Sequence, residues 1–257
     1  MKKNRIEVCF SPALYSLHHN QESIVIIVDI LRATSAICAA FMNGVKHIIP
    51  VATIDEAREY KNNGYMVAAE RDGIVLDFAD FGNSPYNFTS ERVKDNEIVY
   101  STTNGTNAVH LASSCYKVAI GSYLNISALT DWLIEQNRDV VILCAGWKNR
   151  FSLEDSLYGG ALSQKLLDSG HYETICDSAH CSLDLWSVAK KDVYGYILKA
   201  AQKSRLAENG LDDVIEFCHT PDKTNVIPIL DGDMLKPLVY DKSHKTFSTK
   251  DVDKSLQ

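Results

Sequence analysis

The chain has 257 residues, 46% of them apolar and 23% charged, with a formal net charge of −7. That length supports a substantial core, in one large α/β domain or two small ones. The acidic balance excludes general affinity for nucleic acid or anionic membranes, so an anionic ligand must be met by locally placed cations.

The N-terminal Met1-Lys2-Lys3-Asn4-Arg5 is basic, but the residues after it, 6–10, are too short and interrupted for a signal-peptide core. No apolar run approaches the ~20 residues that cross a bilayer. Residues 23–30 form a continuous β-branched run, the mark of a strand buried on both faces. A helix over 34–43 follows, closed by Gly44; then a strand over 46–51, a charged helix over 54–62 and a strand over 65–70. A long irregular connection holds Asp80-Phe81-Gly82-Asn83-Ser84-Pro85. The alternation then resumes, with strands over 97–100, 117–120 and 140–144 and helices over 106–113, 127–136 and 152–168. Residues 181–217 read as helical, and the last 20 residues, rich in Lys, Ser and Asp, as peripheral.

Repeated strand–helix alternation predicts an α/β fold, a mainly parallel sheet with helices on both faces, in a single domain over 1–257. The stretches 24–57 and 97–128 share an order of strand, polar loop, helix, strand and helix, consistent with a duplicated unit. The seven cysteines (Cys9, Cys38, Cys115, Cys144, Cys176, Cys181, Cys218) form no C-x-x-C pair, which suits reduced thiols of a cytoplasmic protein.

Three polar loops leave apolar strands and enter helices: 28–34, 101–106 and 144–155. In one parallel sheet the strand ends point the same way, so these loops should converge on one rim, where such sheets bind ligands. Arg32, Arg71 and Arg150 each follow a strand closely, and a guanidinium there can grip a phosphate or sulfonate bidentately. Thr102-Thr103-Asn104-Gly105-Thr106 offers hydroxyls, an amide and backbone N–H groups before a helix, enough to cradle an anion. Asn104 and Thr106 are equally suited to turn and N-cap roles, and Asn83-Ser84-Pro85 is ordinary turn chemistry. Ser152 and Asp155 have capping-box spacing, which leaves Glu154 unexplained. Glu154 and Asp155, with Asp29 at the end of a buried strand, could seat Mg²⁺, which needs only one or two carboxylates. Cys144 and Arg150 have the spacing of a cysteine-phosphatase loop, but Leu143 precedes and Phe151 follows where that loop needs His and Ser or Thr. Asp29 does not fit an aspartyl-phosphatase nucleophile, because the position two later is Leu31. His47, His110 and His219 lack metal-ligand spacing, and Ser204-Arg205-Leu206 and Asp231-Gly232-Asp233 read as helix surface and turn.

Taken in order, residues 28–34, Ala69-Glu70-Arg71, Gly82-Asn83-Ser84-Pro85, 102–106, Gly121-Ser122 with Leu124-Asn125, and Cys144-Ala145-Gly146 with 150–155 resemble the 2-phosphosulfolactate phosphatase family. The resemblance implies a three-layer α/β/α sandwich and a Mg²⁺-dependent phosphatase converting 2-phosphosulfolactate to sulfolactate, a step toward coenzyme M. On it, Asp29, Arg32 and Arg150 are the expected catalytic residues, with Asp29 as base. Asn83, Ser84, Thr102, Thr103, Asn104, Gly105, Thr106 and Ser122 are expected to bind substrate, and Asp29, Glu154 and Asp155 to bind Mg²⁺. The expected partner is a small anionic phosphorylated substrate, with neither nucleic acid nor membrane, and homo-oligomer formation is compatible with it. Two alternatives stay open: a cysteine-nucleophile phosphatase using Cys144 and Arg150, and a non-catalytic anion-binding protein.

Overall fold

Residues 2–241, 243–244 and 246–249 are described by the structure, a computed structural model. Their strands are β1 (Asn4–Cys9), β2 (Ile24–Val28), β3 (His47–Pro50), β4 (Met66–Arg71), β5 (Ile74–Val75), β6 (Glu97–Ser101), β7 (Lys117–Gly121), β8 (Val140–Cys144), β9 (Tyr172–Glu173), β10 (Val226–Asp231), β11 (Met234–Asp241) and β12 (Thr246–Thr249). They join in one sheet of order β5-β4-β6-β3-β11-β10-β7-β2-β8-β1-β9, with β12 on β11.

The Ile-Val-Ile-Ile-Val run of β2 is wholly buried, as its lack of polar alternation requires. Its alternate side chains serve two separate cores. Ile24, Ile26 and Val28 pack with the helices Ile126–Gln136 and Leu153–Asp168 on one face. Val25 and Ile27 pack with Ala33–Met42 and Gly105–Ala112 on the other. This is the three-layer α/β/α sandwich, and each fully buried aliphatic side chain contributes ~1.5–3 kcal/mol of transfer free energy to it.

Ladders β4–β6–β3 and β7–β2–β8–β1–β9 are parallel. Between them lies the antiparallel hairpin β10–β11, touching β3 at Leu235–Ile48 and β7 at Ile229–Ala119. The steps β3–β11, β11–β10 and β10–β7 are all antiparallel, so the two parallel blocks run in opposed senses. This corrects the expectation of one common rim. The loops after β2 and β6 meet from opposed directions: a Cβ at Gly105 would stand 2.8 Å from Ala33 Cβ. The segments 24–57 and 97–128 each send their first strand to one block and their second to the other, where β2 pairs with β7 and β3 with β6.

Two further expectations change, and one segment left without an element gains one. Residues 238–241, expected at the periphery, belong to β11 in the middle of the sheet, while 250–257 lie outside the described residues. Residues 6–10, unfit as a signal core, mostly form β1, an inner strand between β8 and β9. The helical stretch after 181 is broken, into Asp177–Ala189, Val193–Ile197, Ala201–Glu208 and short turns ending at Cys218. Among the described residues no helix is long and apolar enough to cross a membrane.

Candidate active site

The loops after β2, β4, β6 and β8 enclose a narrow cleft, floored by the first turn of the Leu153–Asp168 helix. Of the expected site residues, the cleft brings together Asp29, Arg32, Asn83, Asn104, Glu154 and Asp155. Glu70, Gly146, Trp147, Gln202 and Leu206 complete its main walls.

Three of the cleft carboxylates, Asp29, Glu70 and Asp155, are held by backbone N–H groups. Asp29 Oδ1 accepts from the N–H of Ala33 at 3.3 Å, and its own carbonyl accepts from the N–H and Oγ1 of Thr34, both at 2.9 Å. Gly105 permits this approach, since a Cβ there would come within 3.2 Å of Asp29 Oδ2 as well as crowding Ala33. Glu70 ties two loops together, accepting from the N–H of Gly73 at 2.6 Å and of Thr103 at 2.8 Å. Asp155 links two more: Oδ1 accepts from the N–H of Ile30 at 2.9 Å, and Oδ2 from the N–H of Gly146 at 3.1 Å. The capping arrangement is therefore one-sided. Ser152 Oγ accepts from the N–H of Asp155 at 3.3 Å, while the Asp155 carboxylate turns to the neighbouring loops.

Arg32 is 4% exposed, and its Nη1 is buried without a hydrogen-bond partner. Asn83 Oδ1 is in the same position. Among the described residues the arginines in ion pairs are Arg58 and Arg138, so Arg32 has none. A buried guanidinium without an ion-pair partner is costly.

Other expected residues stand elsewhere. Thr102 and Thr106 bond to each other: the Thr106 N–H donates to Thr102 Oγ1, and Thr106 Oγ1 donates to the Thr102 carbonyl. Thr103 is tied to Glu70, and Ser122 is buried, capping the short turn that begins at Tyr123. Ser84 and Gly105 are not on the lining, and Arg150 is exposed. Trp147 and Arg150 exchange backbone hydrogen bonds across a tight turn whose Lys148 and Asn149 have φ of 50° and 62°. Arg71 is also occupied, donating to the Glu70 carbonyl and Ser101 Oγ. Cys144 is wholly buried and off the cleft, and burial pushes its thiol well above the ordinary range. A thiol kept neutral and out of reach is unsuited to nucleophilic attack.

The charge balance is unusual. Asp29, Glu70, Glu154 and Asp155 line the cleft with one guanidinium, Arg32. Burial, reinforced by Glu70 and Glu154, lifts the Asp29 carboxyl from 3.8 to about 7, against the Ala33 N–H and the Arg32 charge. Asp155 is raised well above its ordinary value by burial and by Glu154 and Asp29. Glu154 is raised by burial, opposed by Arg205 among others. Such a cleft gains from taking up protons or a cation. Among the described residues no three His, Cys, Asp or Glu side chains group as a self-sufficient metal cluster. Mg²⁺ does not require one, because it keeps positions for water and substrate oxygen.

Glu70 was legible in sequence by the same signal as Asp29, an acid at the end of an apolar strand. The helix carrying Ser204-Arg205-Leu206, expected as plain surface, supplies Gln202 and Leu206 to the cleft. No local pattern announces that, because its docking depends on contacts across 171 positions of chain, as in the Gln202 Nε2 donation to the Leu31 carbonyl.

A family profile described as 2-phosphosulpholactate phosphatase matches residues 9–233. A protein of Caldanaerobacter subterraneus subsp. tengcongensis is 34% identical over 220 residues, covering 84% of this chain and 91% of its own. One from Clostridium botulinum (strain Eklund 17B / Type B) is 32% identical over 235 residues, 90% and 98% of the two chains, and one from Pseudothermotoga lettingae is 34% identical over 226, 87% and 95%. Each of the three is named "Probable 2-phosphosulfolactate phosphatase". With a family match over most of its length and relatives above 30% identity spanning nearly all of theirs, the chain belongs to the 2-phosphosulfolactate phosphatase family of phosphoric monoester hydrolases.

Proposed function

We propose that the chain is a Mg²⁺-dependent phosphatase that hydrolyses the phosphate monoester of a small sulfonated hydroxyacid, converting 2-phosphosulfolactate to sulfolactate and phosphate. The observation that carries this reading is Arg32, a buried guanidinium with an unpartnered Nη1 on a cleft otherwise lined by acids. A phosphoryl group supplies the anion that the fold withholds, in charge-assisted hydrogen bonds that a guanidinium forms bidentately. Asn83 and Asn104 stand on the same cleft to hydrogen-bond the remaining oxygens.

The donor set suits Mg²⁺. Asp29 and Glu154 would hold it, with Asp155 behind them fixing the Ile30 and Gly146 backbone. Bound there, the ion would neutralise phosphoryl charge that four carboxylates would otherwise repel. Asp29 would take the proton of the attacking water as the new P–O bond forms and return it to the leaving ester oxygen as that P–O bond breaks, giving the substrate hydroxyl and inorganic phosphate. Positioning and charge neutralisation supply most of the rate enhancement in phosphoryl transfer of this kind. Seven free cysteines, four of them buried, support a cytoplasmic setting.

The test is a phosphate-release screen over phosphorylated hydroxyacids with Mg²⁺ or with EDTA. Release from 2-phosphosulfolactate that disappears in EDTA is expected. Binding without release makes the chain an anion-binding protein, and release in EDTA removes the metal from the account.

A further inference from the structure

One cation beside the cleft remains unused by this reading. Arg205, on the Ala201–Glu208 helix, donates from Nε to Gln202 Oε1 at 2.7 Å, and Gln202 is itself anchored to the Leu31 carbonyl at 3.1 Å. Its guanidinium carbon lies 4.6 Å from the centre of the Trp147 ring. Gln202 and Trp147 both line the cleft, so Arg205 is held between two wall residues by one hydrogen bond and one aromatic face. A guanidinium stacked in this way keeps the rest of its N–H edge for an anion in its own plane. Lys148, the other cation near Trp147, is paired with Asp72 at 2.9 Å, whereas Arg205 has no ion pair among the described residues.

We infer that Arg205 recognises a second acidic group of the ligand, a sulfonate or carboxylate beside the phosphate ester, and so makes the protein selective for doubly anionic phosphate esters. The inference rests on the cleft being a phosphate-ester site with Arg32 at the phosphate. One buried guanidinium meets one anion there, and Arg205, held against the outer side of lining residues Trp147 and Gln202, is a further guanidinium without an ion pair among the described residues.

The test is calorimetric binding in Mg²⁺ buffer with two probes whose C–P bonds cannot be hydrolysed: 3-phosphonopropionate, which carries a second acid, and propylphosphonate, which does not. Wild type should bind the diacid at least tenfold more tightly. Arg205→Gln should shrink that preference below threefold while the propylphosphonate Kd stays within twofold, and Arg205→Lys should retain part of it. A preference that is absent in wild type, or unchanged in Arg205→Gln, overturns the inference. So does an equal weakening of both probes, which is what loss of support for Trp147 and Gln202 would produce. Phosphate release from 2-phosphosulfolactate is read separately on the wild type: selectivity without release contradicts the phosphatase reading, not the role of Arg205.

Discussion

Replacing Asp29 by Asn should stabilise the metal-free protein at alkaline pH. The carboxyl titrates at about 7 in the fold and near 3.8 when unfolded, so raising the pH ionises the unfolded chain first. Between those values the unfolded state binds fewer protons, and the folded state loses stability as pH rises; the loss levels off above about pH 7. The gap is a little over three decades of proton affinity at ~1.4 kcal/mol each, or about 4 kcal/mol at pH 8. Asparagine never acquires the charge, and its Oδ1 can still accept from the Ala33 N–H. At ~2–4 °C per kcal/mol, Asp29→Asn should raise Tm by roughly 8–16 °C at pH 8. At pH 5 only the interval from 3.8 to 5 contributes, so the gain falls to about 1.5 kcal/mol, and near pH 4 it should almost vanish. The assay is thermal unfolding of both proteins in EDTA, followed by circular dichroism from pH 4 to 8. Equal Tm values at pH 8, or a gain that grows toward acid, would refute the claim that this carboxylate is buried at a cost.

Added Mg²⁺ should raise the Tm of wild type at pH 8 more than that of Asp29→Asn, because the ion relieves the same repulsion; equal shifts would remove Asp29 as a ligand. Cys144→Ser should leave kcat within about threefold of wild type, since the thiol is neutral and off the cleft, and loss of turnover would restore the cysteine mechanism. Gly105→Ala forces a Cβ against Ala33 at 2.8 Å and Asp29 Oδ2 at 3.2 Å. It should cost ~1–3 kcal/mol in urea unfolding and lower kcat through displacement of Asp29; wild-type behaviour in both would show that the contact relaxes freely.

Legibility in the sequence followed the range of the forces involved. The buried strands announced themselves because Ile24–Val28 and Val140–Cys144 carry their signal in five consecutive residues. The hairpin over 226–241 did not, because its place between two opposed blocks is set by partners more than a hundred positions away. That insertion also changed why the loops meet, from a shared rim to two facing ends. Asp29 was readable as an acid left at the end of an apolar strand. Asp155 was readable as a cap, but its carboxylate goes to Ile30 and Gly146, a choice made by tertiary packing. Arg150 carried the right spacing after β8, yet spacing along a chain does not specify direction. The Trp147–Arg150 turn, with two residues at positive φ, leaves that guanidinium exposed. Arg205 reads as helix surface in the sequence, because its place beside the cleft is set by contacts far along the chain, as in the Gln202–Leu31 bond.

The central claim is that the anion is met at the buried Arg32. The direct measurement is kcat/KM for 2-phosphosulfolactate with Mg²⁺, for Arg32→Ala and Arg150→Ala beside wild type. Loss of a charge-assisted contact worth ~1.5–4 kcal/mol should lower kcat/KM of Arg32→Ala by roughly tenfold to a thousandfold. Arg150→Ala, which removes an exposed charge, should change it by less than about fivefold. Turnover unchanged in a folded Arg32→Ala protein would contradict the account.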